Sequence, residues 1–126
     1  MPGLLGYDFG DAIRVGACSA EEDEPDVSRV HLLLPRFEAF ARGFLPELRA
    51  DLSEDELLSL EVGARLMTFE CGMRFLADHL NGDLYFRIHR PGQNLDRARV
   101  QFTLLEDMER HEGDMREILK ALYVAG

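Results

Sequence analysis

Apolar positions recur at three and four residues along most of this 126-residue chain, and aromatic or β-branched residues nowhere alternate with polar ones over a long stretch. That pattern predicts an all-α protein. Asp8 to Ala17 reads as a short helix capped by Asp8, with Phe9, Ala12 and Ile13 on one side and Gly16 weakening its end. A second helix starts near Pro35, a favourable first-turn residue, and carries Phe37, Phe40, Ala41, Phe44 and Leu45; Pro46 predicts a kink or restart. Ser53 and Glu56 have the spacing of a capping box and introduce the strongest helix, over residues 54–80. One stripe on it is Leu57, Leu60, Ala64, Met67, Cys71 and Phe75, and another is Leu58, Val62, Leu66, Phe69, Met73 and Leu76. Two stripes predict burial around much of the circumference, as in the central helix of a bundle.

Past residue 80 the pattern breaks. His79 to Asp83 contains an Asn-Gly turn signal, Leu84 to Ile88 reads as a short extended segment, and Pro91-Gly92 marks another turn. Asn94 is placed to cap a last helix, with Asp96 in its first turn. Leu95, Ala98, Phe102, Leu105 and Met108 form its apolar face, continued by Met115, Ile118, Leu119 and Leu122 after a weak point at Gly113. The expected architecture is a bundle of about four helices with a short extended segment near 84–89, in a single domain over residues 1–126.

Charge and composition narrow the function. The formal net charge is −10 and no basic stripe is present, which argues against nucleic acid or an anionic membrane as partner. Hydrophobic residues make up 46% of the chain, enough for a real core. The run from Glu21 to Asp26 reads as a solvated loop, because adjacent carboxylates on a flexible segment converge poorly on a ligand. Cys18 and Cys71 define no disulfide framework, and Cys71 reads as a buried thiol. The start at Met1-Pro2-Gly3 lacks the basic character of a signal peptide, and no apolar run is long enough to span a bilayer, so a cytoplasmic protein is expected. The histidines at 31, 79, 89 and 111 lack close metal-ligand spacing, and no metal site is expected.

Few residues stand out as chemistry. Asp8-Phe9-Gly10 has the form of a kinase magnesium motif, but the glycine loop, phosphate-pairing Lys and catalytic loop that make it work normally lie upstream. Glu70 and Arg74 stand four apart in the most apolar helix, which suggests a buried ion pair or an arginine aimed into a ligand cleft. In the second case Arg74 meets the turn carrying Tyr85. Guanidinium and phenol together suit a polar ligand such as a sugar. Residues 89–97, His-Arg-Pro-Gly-Gln-Asn-Leu-Asp-Arg, lack the phosphate-loop spacing and read as a helix start pinned by side chains, or as a substrate-facing edge. No serine lies in a nucleophile-elbow motif.

Several long segments in order carry a resemblance: Tyr7-Asp8-Phe9-Gly10-Asp11-Ala12-Ile13-Arg14, Phe44-Leu45, the run from Leu66 to Leu76, and the run from Asp83 to Ala98. With Met1-Pro2-Gly3 they resemble the carboxy-terminal third of the N-acetylhexosamine 1-kinases, in the aminoglycoside-phosphotransferase superfamily with its protein-kinase-like fold. The resemblance spans almost the whole chain. It implies a C-lobe portion of an enzyme that moves the ATP γ-phosphate to the anomeric hydroxyl of GlcNAc or GalNAc with ATP and Mg2+. It also implies that the catalytic Asp, the metal ligands and the nucleotide lobe belong to the preceding portion of the kinase, so this chain alone has no catalytic residue. Asp8 then resembles the aspartate that supports the catalytic loop, and Arg74 and Tyr85 fall where the family contacts the N-acetylhexosamine. His79 stands where members tend to carry Tyr.

Three expectations follow. The chain is the sugar-binding portion of a larger kinase and inactive alone, or an independent helical module that binds a sugar or a protein, or a complete enzyme using Asp8 and Asp11 with magnesium. The expected partners are the amino-terminal kinase portion, an N-acetylhexosamine and a second copy of the chain. Exposed residues near Met1, Leu4, Leu5, Phe9 and Ile13 are expected to form the dimer contact.

Overall fold

A computed structural model describes the backbone of residues 2–125 and the side chains of residues 8–47 and 52–125. Six α-helices form among them: α1 (Pro2–Gly16), α2 (Leu34–Asp51), α3 (Glu54–Leu58), α4 (Leu60–Leu80), α5 (Gln93–Arg110) and α6 (Glu112–Ala125). The protein is all-α, as the periodicity predicts, and the described residues form no strand. Helix α4 lies between α1 and α5. Helix α2 packs on α1 and on α6, and α3 rests against α6.

The helices outnumber the expected set because two of them are split. Ser53 accepts from the Glu56 amide while the Glu56 carboxylate accepts from the Ser53 amide, so the predicted capping box is present. It opens only the short α3. At Ser59 the hydroxyl turns back onto the Glu56 carbonyl at 2.6 Å, and α4 starts at the next residue. The second split falls at His111, two residues before the expected weak point. There the His111 amide closes α5 onto Asp107 and Met108, while its carbonyl receives the Met115 amide of α6. Two other boundaries also move. Helix α1 starts at Pro2, so Asp8 lies within the helix and caps nothing, and α2 runs on through Pro46.

The core forms where α1, α2, α4, α5 and α6 converge. Phe9 and Ile13 are fully buried with Phe37, Leu57, Ala64, Leu104, Met108 and Met115. Phe9 meets Phe37 and Phe44 edge-on, with ring centroids 5.9 and 5.6 Å apart. Phe9 and Ile13 therefore belong to the core and not to an exposed rim; Met1, Leu4 and Leu5 lie outside the residues with described side chains. The two stripes of α4 part company. Leu60, Ala64, Met67 and Phe75 are buried, continuing from Leu57 of α3, whereas Val62, Leu66, Phe69 and Met73 are largely exposed. The acidic segment 21–26 is tied down more than a solvated loop would be: Asp23 holds Arg90 and Gln93 at the start of α5. The segment then returns through a 3-10 turn at Val27–Arg29 to an antiparallel bridge between Cys18 and Leu32.

Candidate functional site: an arginine-lined cavity beside the Asp78 network

Helix α4 ends in a tight reversal. Gly82 and Asp83 adopt positive φ, 91° and 61°, which brings the chain back over the end of its own helix. Glycine does this freely; aspartate tolerates it when its side chain is held. Here the Asp83 carboxylate accepts from the Asn94 amide at 2.9 Å. The loop that follows hangs on Asp78. Its two carboxylate oxygens accept from the backbone N–H groups of Tyr85 (2.8 Å) and Phe86 (2.9 Å), and from the Asn94 side-chain amide (2.8 Å). Burial pushes the Asp78 carboxyl up, but these donors outweigh it and hold the group below its ordinary range. Residues 84–89 make no strand; they hold their place through side chains, including the Gln93 carbonyl, which accepts from the His89 amide. Asn94, expected as a helix cap, is instead a buried member of this network, and Gly92 is the residue that precedes α5.

Beneath the loop lies a cavity of about 290 Å3, lined by Arg14, Glu22, Cys71, Arg74, Phe75, Phe86, Arg87 and Arg97. Phe75 and Phe86 form its apolar floor, with ring centroids 4.7 Å apart. Arg97 crosses the Phe75 face at 5.6 Å from its centroid, a cation–π distance. One amino group of Arg97, Nη1, donates to the Arg87 carbonyl and to Asn94 Oδ1, which fixes the guanidinium. Arg14 is fixed in the same manner, with Nε and Nη2 on Asp11 Oδ1. Burial pushes the Cys71 thiol up, only partly offset by Arg14 and Arg74, so at neutral pH it is a thiol and not a nucleophilic thiolate.

The residues singled out in the sequence are only partly gathered here. Arg74 lines the cavity. It pairs with Glu70 at 2.6 Å, but both side chains are about half exposed, so the ion pair is a surface pair and not a buried one. Its position on α4 explains this, since Glu70 and Arg74 fall on the flank away from the core stripe. Tyr85 is 84% exposed and does not line the cavity; its ring stands edge-on against Phe86, which does. Arg74 and Phe86 thus share the cavity, and Tyr85 stands outside it against the Phe86 ring. Asp8 is exposed on α1. Asp11, its suggested metal-binding companion, is already occupied by Arg14.

Three buried or nearly buried polar residues of the bundle were legible only in part. Asp78 follows Phe75 by three residues on the buried stripe, just ahead of the Asn-Gly turn, and a carboxylate there needs donors. Glu61 lies on the same stripe, is fully buried, and is met by Arg65 at 2.9 Å and Arg116 at 3.4 Å. Arg97 was visible as one member of a polar motif, but its burial depends on the α4–α5 packing. Among the described residues no group of three or more His, Cys, Asp or Glu side chains is placed to hold a metal ion, and no helix is long and apolar enough to cross a membrane. No protein-family model matches the chain.

Proposed function

We propose that this chain is the sugar-binding, carboxy-terminal part of an ATP-dependent N-acetylhexosamine 1-phosphotransferase, acting on GlcNAc or GalNAc and inactive alone. The observation that supports the reading is that Arg74 and Phe86 of the Asp78-held loop line one cavity, with Tyr85 outside it and edge-on against Phe86. A sugar needs both: donors for its hydroxyls and acetamido carbonyl, and flat apolar surface for its ring face. Asp8, exposed on α1, is free to support a catalytic loop from the amino-terminal portion. ATP and Mg2+ would be held by that portion, which brings the phosphoryl donor to the acceptor.

The test is a titration of the chain with GlcNAc and GalNAc, against glucose, in wild type and Arg74→Ala. Millimolar binding of the N-acetyl sugars is expected, weakened about tenfold by the substitution, the effect of losing one charge-assisted contact. With ATP and Mg2+ no sugar 1-phosphate should form. Equal binding in the variant removes Arg74 from the site, and turnover by the chain alone overturns the division of labour. A second reading, an independent helical module that binds another protein, draws on the solvent-facing Val62, Leu66, Phe69 and Met73 of α4.

A further inference from the structure

The floor and rim of the cavity suit a sugar, but its inner wall has a different chemistry. Arg14 and Arg97 are almost buried there, with 11% and 13% of their side chains exposed. One edge of each guanidinium is held by the protein, Arg14 by Asp11 and Arg97 by the Arg87 carbonyl and Asn94. The remaining Nη1 of Arg14 and the Nε of Arg97 converge on a single carboxylate. Glu22 brings Oε2 to 3.7 Å from Arg14 and Oε1 to 3.5 Å from Arg97. Both distances exceed the 2.7–2.9 Å usual for charge-assisted hydrogen bonds. Arg97 Nε is in fact buried without a hydrogen-bond partner. Glu22 is a loop residue with 47% of its side chain exposed, delivered by the anchored Asp23 beside it. Glu22 and Arg14 also line a second cavity of about 470 Å3, so the same pair borders both spaces.

We propose that this inner wall is an oxyanion site for a phosphate or phosphate monoester, and that Glu22 occupies it as a loosely fitting internal substitute. The orphaned Arg97 Nε and the convergent Arg14 Nη1 supply donors already oriented before the ligand arrives, which lowers the ordering cost of binding. A tetrahedral oxyanion between them can approach both donors at once, and its arrival swings Glu22 out to solvent. Arginine suits this task because its charge is permanent and its fork matches oxyanion geometry. Arg74 and Arg87 at the rim add attraction in a protein whose overall charge, −10, would otherwise repel anions. The site rests on Arg14 and Arg97, which the sugar reading does not use, although it shares the cavity, Arg74 and Phe86 with that reading.

The test is calorimetric titration of the 126-residue chain with inorganic phosphate and, separately, with phenyl phosphate, at constant ionic strength set by chloride. Saturable binding is expected. Glu22→Gln should bind about tenfold more tightly, because a competing charge is gone, and Arg97→Gln about tenfold more weakly. Tighter binding of phenyl phosphate assigns the ligand to an ester seated on Phe75 and Phe86; equal binding assigns it to free phosphate. Glu22 is exposed, so its substitution spares the fold even where Arg97→Gln unfolds. Unchanged or weaker phosphate binding in Glu22→Gln overturns the proposal, as does the absence of saturation in wild type.

Discussion

Asp78 shows how one carboxylate can position a loop. Its oxygens take two backbone amides and one side-chain amide, and with them Tyr85 and Phe86 are placed beside α4. Because its folded-state pKa is depressed, its contribution to stability is present above the ordinary carboxylate pKa and is lost as the pH falls through the lower folded value. Asp78→Asn replaces an acceptor by a donor that faces the amides it should accept. The variant is expected to melt about 5 °C or more below wild type at pH 7, with the gap narrowing as the solution is acidified below pH about 4. Thermal melts across that range check this; a gap that is constant with pH would show that the charge is not what matters. The sequence places Asp78 on the right helix and near the right turn. It does not say that Tyr85 and Phe86 are the donors, because their amides meet Asp78 only through the positive φ of Gly82 and Asp83. The same limit applies to Arg74. Four-residue spacing puts it next to Glu70, but whether that flank is buried depends on where α1 and α5 lie.

Helix α4 is held at two close approaches of different kinds. A Cβ added at Gly72 would sit 2.7 Å from the Phe102 ring of α5, whereas one added at Gly10 of α1 would meet Gly63, Ala64 and Met67 at 3.4–3.5 Å, ordinary contact distances. The two glycines should therefore respond in opposite directions. Gly72→Ala is expected to lose stability, since overpacking costs about 1–3 kcal/mol against about 1 kcal/mol gained in helix propensity. Gly10→Ala is expected to be neutral or stabilising. Urea denaturation of both variants decides; a stabilised Gly72→Ala would mean that Phe102 moves aside without cost. Helix existence was legible at this scale. The breaks were not, since Ser59 and His111 split helices through side-chain and terminal hydrogen bonding that apolar periodicity does not register. Nor does periodicity say whether an apolar stripe has a partner. Both α4 stripes have the same spacing, but one is buried while the other is largely exposed and meets α5 through Phe69 on Phe102.

The molecule as a whole carries a closed core and an open face. Phe9 and Ile13 are inside, and among the described residues α4 carries an exposed apolar row, with Leu66 63% and Phe69 47% exposed; Val15, Leu84, Tyr85 and Val124 are exposed elsewhere. Patches of this kind favour contact between copies, while the net charge of −10 opposes it at low salt. Self-association of the chain is expected to rise with concentration and with salt, and to be reduced by Leu66→Glu combined with Phe69→Glu. Light scattering across a concentration series at about 0.15 M salt reads this directly, under screening that leaves short-range contacts in charge. Association unaffected by the double substitution would place the contact elsewhere.

One bond ties a connecting segment to a distant helix. The Leu32 amide donates to a buried carboxylate oxygen of Asp107 at 2.6 Å, across 75 positions of chain. It pins the segment between α1 and α2 to the far end of α5. Releasing that segment would take the donor from Asp107 Oδ2 and leave the carboxylate to Arg110 and His111 at its other oxygen, a cost that opposes separate, early melting of the segment. The connection that looks like surface chain in the sequence is thus tied to the helices it links.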